Sequence, residues 1–247
     1  MLDDVRRAFA FLTVLPVGSP EGGQPGRAFA YFPLVGLAIG LAVGLVASVM
    51  ALPPGVTAFL ALAVWVALTG GLHLDGFGDA CDGLFAAVAP ARRLEIMKDA
   101  RAGSWAVVGL ALLLLGKWSA LGAVTPLLLV LPAGDGALGD DGGGVCLSLC
   151  APLRDWGLLP RGAGPGAGRG GDADRARCRR GGGRARAGWA AALAAAAVGP
   201  LVALLAGRWA AGRLGGGLTG DVYGALCELT ELACLIVLSG VEAWANA

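Results

Sequence analysis

An uninterrupted apolar run from Phe29 to Leu52 is the feature that most constrains the fold. Its 24 residues suffice to cross a bilayer as one helix, because about 20 helical residues span the hydrocarbon core. Gly36, Gly40 and Gly44 recur within it at every fourth position, a spacing that lets a second helix approach closely. A shorter apolar segment, Val56 to Leu72, follows a Pro-Pro-Gly turn. The sequence therefore predicts helices that cross a membrane.

Composition extends this prediction to the whole chain. Apolar residues make up 56% of it, charged residues 15%, and the mean hydropathy is +0.71, values typical of a polytopic membrane protein. Further apolar runs are Ser104–Leu131, Trp189–Ala206 and Leu232–Trp244. We therefore expect an all-α bundle of about five to seven transmembrane helices in a single integral membrane domain, residues 1–247. The net charge of +1, without basic and aromatic residues interleaved, gives no indication of nucleic-acid binding. Nothing in the sequence indicates an oligomeric state.

A stretch rich in aspartate and glycine, Gly70–Gly83, follows the second apolar segment directly. Asp75, Asp79 and Asp82 are spaced at i, i+4 and i+7, so a helix would project all three from one face. His73, the only histidine, precedes them. Carboxylates stacked in this way repel one another unless a cation or a cationic substrate lies among them. The stretch therefore predicts a site for Mg²⁺ or Mn²⁺, especially with a phosphate as a further ligand; a solvated acidic helix is the alternative.

The connection from Leu84 to Gly103 carries both signs of charge. On a helix, Lys98 and Arg101 would share one row, and Glu95 and Asp99 another. One interpretation is a surface helix with internal ion pairs. The other is that Lys98 and Arg101 bind phosphate oxygens close to the metal. The excess of basic residues indicates that this side of the membrane is cytoplasmic.

Lys117 interrupts the third apolar run. A lysine in such a run is either a buried functional cation or a side chain that reaches to the membrane surface. We expect the second.

A second acidic cluster follows a glycine-rich turn near the carboxyl end. Asp221 and Glu228 share a helix face at i and i+7, Glu231 lies one turn further on, and Thr219 or Asp221 can cap the helix. If the third apolar run crosses the membrane once, this cluster lies on the same side as Gly70–Gly83. The two clusters then form one site, in a metal-dependent membrane enzyme that handles phosphates or in a cation transporter. A capped helix with solvated acids is the alternative.

Residues 133–188 differ abruptly from the rest of the chain. They hold 17 glycines and 9 of the 17 arginines, with almost no apolar periodicity. This composition predicts low-complexity, disordered chain, or an out-of-frame translation of a GC-rich gene. A genuine basic loop is the alternative.

Several motifs resemble those of the cobalamin synthase family, the adenosylcobinamide-GDP ribazoletransferases. The acidic block is Gly-Gly-Leu-His-Leu-Asp-Gly at positions 70–76, continued by Asp79, Asp82 and Gly83 and by Arg93-Leu-Glu-Ile-Met-Lys98-Asp99, Arg101 and Gly103. Similar segments are Phe9–Pro16, Tyr31–Gly36 and Leu218–Glu231. Two features depart from the family: Cys227 stands where an Asn is usual, and residues 133–188 lack the expected apolar span and its Arg- and Pro-containing loop.

The resemblance implies the last step of cobalamin nucleotide-loop assembly. A ribose hydroxyl of α-ribazole, or of its 5′-phosphate, attacks adenosylcobinamide-GDP at the phosphorus joined to cobinamide. GMP leaves, and adenosylcobalamin or its 5′-phosphate forms. The resemblance also implies Mg²⁺ on Asp75, Asp79 and Asp82, with one of these carboxylates or His73 as the base.

The remaining site residues follow from the same resemblance. Lys98, Asp99 and Arg101 would bind the substrate, and Asp221 and Glu228 would hold a second metal or orient the ribazole.

The protein would be a multi-pass protein of the cell inner membrane, in contact with the lipid bilayer, with its acidic motifs at the cytoplasmic face. A CDP-alcohol phosphotransferase is the closest rival, but the DG-x-x-A-R opening of its motif is missing. A metal-ion transporter would place the acids in the middle of spans, whereas here they fall at span ends.

Overall fold

The regular structure of this chain is helical wherever the structure describes it. The computed structural model describes residues 1–18, 25–124, 194 and 197–246. A 3-10 helix, Pro25–Tyr31, precedes the second of the α-helices in these ranges, which are α1 (Leu2–Leu12), α2 (Phe32–Val49), α3 (Pro54–Thr69), α4 (Leu72–Phe85), α5 (Pro90–Ile96), α6 (Ser104–Leu121), α7 (residues 197–214) and α8 (Gly220–Asn246). The predicted all-α fold is confirmed.

Three of these helical segments are long and apolar enough to cross a membrane: Gly26–Val49, Ser104–Leu121 and Gly220–Trp244. The pair α3 and α4 satisfies the same criterion only together, and its two helices meet at an angle of 90°. The described residues thus supply three candidate spans, or up to four if the bent pair counts as one. A polytopic helical membrane protein is confirmed, whereas the span count for the whole chain stays a prediction.

Two glycines produce the bend between α3 and α4. Gly70 closes α3 with a φ of 63°, and Gly71 precedes α4 with a φ of 71°. Both values lie in the left-handed region, which glycine adopts without the steric penalty of a Cβ atom. The acidic helix α4 consequently begins at a right-angled elbow at the end of an apolar helix.

Two groups of buried side chains hold the helices together. The first joins α2 and α3 to the second half of α8 and includes Val35, Val43, Trp65, Leu235 and Leu238. The second joins α4 and α6 to α7 and the first half of α8 and includes Phe77, Cys81, Leu113, Leu214 and Val222. Large apolar side chains such as Leu45 and Leu112 are more than 60% exposed, which suits an exterior that contacts lipid. Helix α8 therefore carries both the core and part of the acidic site.

The connection between α4 and α6 differs from its sequence interpretation. The prediction that Lys98 and Arg101 share one row of a helix is wrong, because α5 ends at Ile96. Asp99 instead accepts a hydrogen bond from the backbone N–H of Arg101 at 3.1 Å, the local bonding by which aspartate favours a turn over a helix. Residues 133–188 lie outside the described residues, so both the disordered and the frame-shifted interpretation of them stay predictions.

Candidate active site

The backbones of α4 and α8 come close together at two glycines. A Cβ atom on Gly76 would lie 2.9 Å from the Cα atom of Asp221, and one on Gly224 would lie 3.3 Å from the Cα atom of His73. Backbone contact this close requires glycine at the crossing. It brings the start of α8, with Asp221, against the acidic face of α4. Of the second acidic segment, Asp221 thus lies against the first segment, as predicted.

The aspartates of the two helices form one electrostatic group. Asp79 is half-buried, and the charges of Asp75, Asp221 and Asp82 all act on it. The predicted spacing on α4 is confirmed, since Asp75, Asp79 and Asp82 all belong to this helix. The exposed Asp75 leaves the group open to solvent on one side. Four carboxylates so placed attract a cation or a ligand that carries one.

Asp82 has a structural partner that the sequence interpretation missed. Its Oδ2 atom accepts a hydrogen bond from the backbone N–H of Gly103 at 2.6 Å, and its Oδ1 atom accepts one from Ala106 at 2.9 Å. These N–H groups belong to the first turn of α6, where no intrahelical acceptor exists. The Asp82 carboxylate therefore joins α4 to α6 and stabilises the helix start.

Lys117 lies in the interior of the bundle. Its side chain is 3% exposed, its Nζ atom lies 2.6 Å from Oε2 of Glu228, and it also pairs with Glu231. The same Nζ atom lies 4.7 Å from the ring centroid of Trp65, a cation–π distance. The expected reach of Lys117 to the membrane surface is wrong, because two buried carboxylates on α8 hold its charge inside.

Glu228 consequently stands apart from the exposed acids. It lies two helical turns, about 10 Å, beyond Asp221 along α8, and its side chain is 7% exposed. The substrate role of Glu228 stays a prediction, and the contact that the structure gives it is the pair with Lys117.

The basic residues after α5 are on the surface. Lys98 is exposed, and the Arg101 guanidinium donates to Oδ1 of Asp99 at 3.0 Å and to Oδ2 at 2.7 Å. These hydrogen bonds lower the pKa of Asp99 to about 2. Arg101 and Asp99 thus form an exposed ion pair, and phosphate binding by Lys98 and Arg101 stays a prediction.

Two arginines that were not among the predicted site residues meet at the carboxyl end of α4. Arg93 is buried and donates to the carbonyl oxygen of Leu84 at 2.6 Å. Arg213, at the end of α7, donates to the same oxygen at 2.8 Å. Arg93 belongs to the motif that carries the family resemblance, whereas Arg213 was not singled out from the sequence.

These elements define a polytopic helical membrane protein with an acidic site at helix ends and arginines beside it. The chain belongs to the cobalamin-5-phosphate synthase family, whose sequence profile it matches over residues 4–239. The family resemblance seen in the motifs is confirmed.

Proteins named adenosylcobinamide-GDP ribazoletransferase are among its similar relatives. The one from Deinococcus radiodurans is 40% identical over 92% of this chain and 82% of its own length. Those from Stutzerimonas stutzeri and Bradyrhizobium diazoefficiens are 39% and 36% identical, over 94% and 98% of this chain and 96% and 95% of their own lengths. No solved structure matches this chain.

Proposed function

We propose that this protein transfers α-ribazole, or its 5′-phosphate, onto adenosylcobinamide-GDP and releases GMP. Family membership over residues 4–239 supports the reaction. The observation that carries it to particular residues is the crossing at Gly76, where Asp221 meets the acidic face of α4. A substrate that contains a pyrophosphate bound to a cation complements this group of carboxylates.

The proposed reaction exchanges one P–O bond for another. A ribose hydroxyl oxygen bonds to the phosphorus joined to cobinamide, the P–O bond to GMP breaks, and GMP leaves with that bonding electron pair. The hydroxyl proton passes to a base, and His73, Asp75 and Asp79 are the groups on the first two turns of α4 that can accept it. Positioning of the two substrates and stabilisation of phosphate charge supply most of the rate enhancement in such transfers.

We further propose that Mg²⁺ accompanies the pyrophosphate. Among the described residues no three His, Cys, Asp or Glu side chains converge on one metal position. The hard carboxylate oxygens of Asp75, Asp79 and Asp82 nevertheless suit Mg²⁺, which proteins commonly hold through one or two carboxylates together with substrate phosphates. When bound, the ion neutralises negative charge on the leaving phosphate. In this proposal the three carboxylates of α4 bind the metal–pyrophosphate complex, and Asp221 contributes a fourth carboxylate from α8.

The site lies at the cytoplasmic surface of the cell inner membrane in this proposal. Phe85 stacks on Trp105 with ring centroids 5.3 Å apart and contacts Trp209 at 5.5 Å, and all three side chains are about half exposed. Aromatic side chains of this kind collect at membrane–water boundaries. These three mark the ends of α4 and α7 and the start of α6, next to the acidic group. The basic residues of the adjoining connection favour the cytoplasmic side.

The test is release of GMP by membranes that contain the full-length chain. The membranes receive adenosylcobinamide-GDP, α-ribazole and Mg²⁺, and GMP and the corrinoid product are measured by chromatography and mass spectrometry. Membranes with Asp79→Asn are the inactive control, and membranes with Asp3→Asn, an exposed acid on α1, are the active one. No GMP from the unchanged chain would contradict the proposal. Metal uptake into vesicles without GMP would favour a transporter, and phosphatidyl transfer from a CDP-lipid would favour a CDP-alcohol phosphotransferase.

A further inference from the structure

The carbonyl oxygen of Leu84 at the end of α4 accepts hydrogen bonds from two different arginines. Arg93 donates to it through Nη1 at 2.6 Å, and Arg213 donates through Nη2 at 2.8 Å and Nε at 3.1 Å. Arg93 also reaches the carbonyl oxygen of Gly83 at 3.2 Å, and Arg213 that of Ala86 at 3.5 Å. One backbone oxygen thus brings two full positive charges within a few ångströms of each other.

The end of a helix does not balance two such charges. A helix carboxyl terminus is equivalent to about −0.5 of an elementary charge, whereas the two guanidiniums carry +2. Among the described residues no carboxylate oxygen lies within ion-pair distance of either arginine. Burial, and secondly the charge of Arg213, lower the pKa of Arg93. A pair of like charges, one of them buried and the other partly buried, is an arrangement that an anion stabilises.

Both arginines keep donors for such an anion. Within the described part of the chain, Nε and Nη2 of Arg93 and Nη1 of Arg213 make no hydrogen bond. Arg213 is only partly buried, so solvent reaches that side of the pair. Guanidinium groups bind phosphate oxygens through paired N–H donors. The structure therefore offers donors, charge and solvent access together.

We propose that Arg93 and Arg213 bind a phosphate group of the substrate pyrophosphate. The inference rests on the proposed function. In it the arginines bind phosphate oxygens of the pyrophosphate, and the aspartates bind the Mg²⁺ that accompanies it.

Position along α4 favours the substrate over a lipid as the source of this phosphate. Asp82 immediately precedes Gly83, whose carbonyl oxygen contacts Arg93, and Arg213 and Asp221 stand at the two ends of the glycine turn between α7 and α8. The acidic group and the arginine pair are thus continuous along α4. A cation-bound pyrophosphate presents both charges that this surface needs, whereas a lipid headgroup phosphate without a divalent cation would satisfy only the arginines.

The experiment measures binding of inorganic pyrophosphate with Mg²⁺ to the full-length protein in phosphatidylcholine nanodiscs, by calorimetry and by the ligand-induced rise of Tm. We expect Arg213→Gln to weaken the pyrophosphate affinity about 10- to 100-fold, the loss typical of a charge-assisted hydrogen bond. Arg213→Lys should restore part of it. Arg208→Gln removes an exposed arginine from the same helix, and Arg92→Gln removes the exposed neighbour of Arg93, so both should bind pyrophosphate normally.

Three results would overturn the inference. An unchanged pyrophosphate affinity in Arg213→Gln, with Tm lowered equally with and without ligand, would make the arginine a helix cap only. A stabilisation by phosphatidylglycerol nanodiscs that Arg213→Gln abolishes, with pyrophosphate binding intact, would assign the pair to lipid. Pyrophosphate binding lost equally in Arg208→Gln would show an effect of overall charge.

GMP release by the unchanged chain, measured in parallel, separates this inference from the proposed function. An active enzyme whose Arg213→Gln variant binds pyrophosphate normally refutes the subsite alone. A chain that releases no GMP but loses pyrophosphate through Arg213→Gln refutes the function and keeps the subsite.

Discussion

The Nζ atom of Lys117 lies 2.6 Å from Oε2 of Glu228, although 111 residues separate the two in the chain. Both side chains are buried, and Glu231 holds the same ammonium group. This ion group joins α6 to α8, and α8 carries Asp221 into the acidic site. The position of Asp221 therefore depends on the Lys117–Glu228 ion pair, which lies about 10 Å further along α8.

Replacing Lys117 by Met should destabilise the protein strongly, because it leaves two buried carboxylates without their cation. Breaking a buried pair costs about 3–5 kcal/mol. The midpoint of denaturation in detergent should fall accordingly. The exposed Arg208→Met variant is the control and should change stability by less than about 0.5 kcal/mol.

A triple variant distinguishes lost charge balance from lost packing. Lys117→Met combined with Glu228→Gln and Glu231→Gln removes all three charges and should regain part of the lost stability. If the triple variant is no more stable than Lys117→Met alone, the ion group is not what holds α6 against α8.

Asp82 serves both α6 and the candidate site, and two variants separate these roles. Asp82→Asn keeps one acceptor oxygen for the first turn of α6 and places an amide N–H group opposite the other backbone N–H, so Tm should fall modestly while GMP release is lost. Asp82→Ala removes both acceptors and should additionally cost about 1 kcal/mol of stability. The measurements are GMP release and Tm of membrane-inserted protein. Near-normal turnover in Asp82→Asn would leave Asp82 with the capping role alone.

The crossing of α4 and α8 predicts an effect of a single methyl group. A Cβ atom at Gly76 would lie 2.9 Å from the Cα atom of Asp221, so Gly76→Ala should push the helix starts apart. Displacements of this size cost about 100-fold in rate where positioning is catalytic. GMP release should fall, whereas Gly240→Ala on α8 should be active, because its Cβ would meet nothing within 4 Å.

Both substitutions add the same methyl group inside a helix, so helix propensity does not separate them. Equal activity in Gly76→Ala and Gly240→Ala would contradict the close approach of Asp221 to α4.

The sequence was sufficient for the features that depend on local spacing. The common face of Asp75, Asp79 and Asp82 follows from the helical repeat. Thr219 caps α8 as predicted, since its hydroxyl accepts from the N–H of Val222 at 3.4 Å. Neighbouring residues determine each of these features.

Partners that are distant in the chain could not be predicted from the sequence. Lys117 gave a signal as an ionisable residue in an apolar run, but Glu228 is identified as its partner only by how α6 packs on α8. The same holds for Arg213, whose acceptor at Leu84 lies 129 residues away. A helix repeat defines faces, and tertiary packing decides which faces meet.

Removal of Mg²⁺ should abolish GMP release if the aspartate group binds a cation with the pyrophosphate. Excess chelator should stop the reaction, and added Mg²⁺ should restore it. Asp75→Asn should raise the Mg²⁺ concentration needed for half-maximal rate, because it removes one carboxylate from the group. Asp3→Asn, remote from the group, should leave that concentration unchanged. Full activity in the presence of chelator would contradict the metal proposal.

Arg101 offers a test of substrate binding that stability does not obscure. Its partner Asp99 has a pKa lowered to about 2, so the stabilisation from their pair is complete above the ordinary carboxyl value near 4 and is lost only as the pH falls towards 2. Between pH 5 and 9 neither residue should contribute a step to the pH profile. Over that range Arg101→Gln should raise the KM for adenosylcobinamide-GDP and leave kcat and Tm near their normal values. Arg92→Gln, which breaks the equally exposed pair with Glu95, is the control; an equal KM in both variants would remove Arg101 from the substrate site.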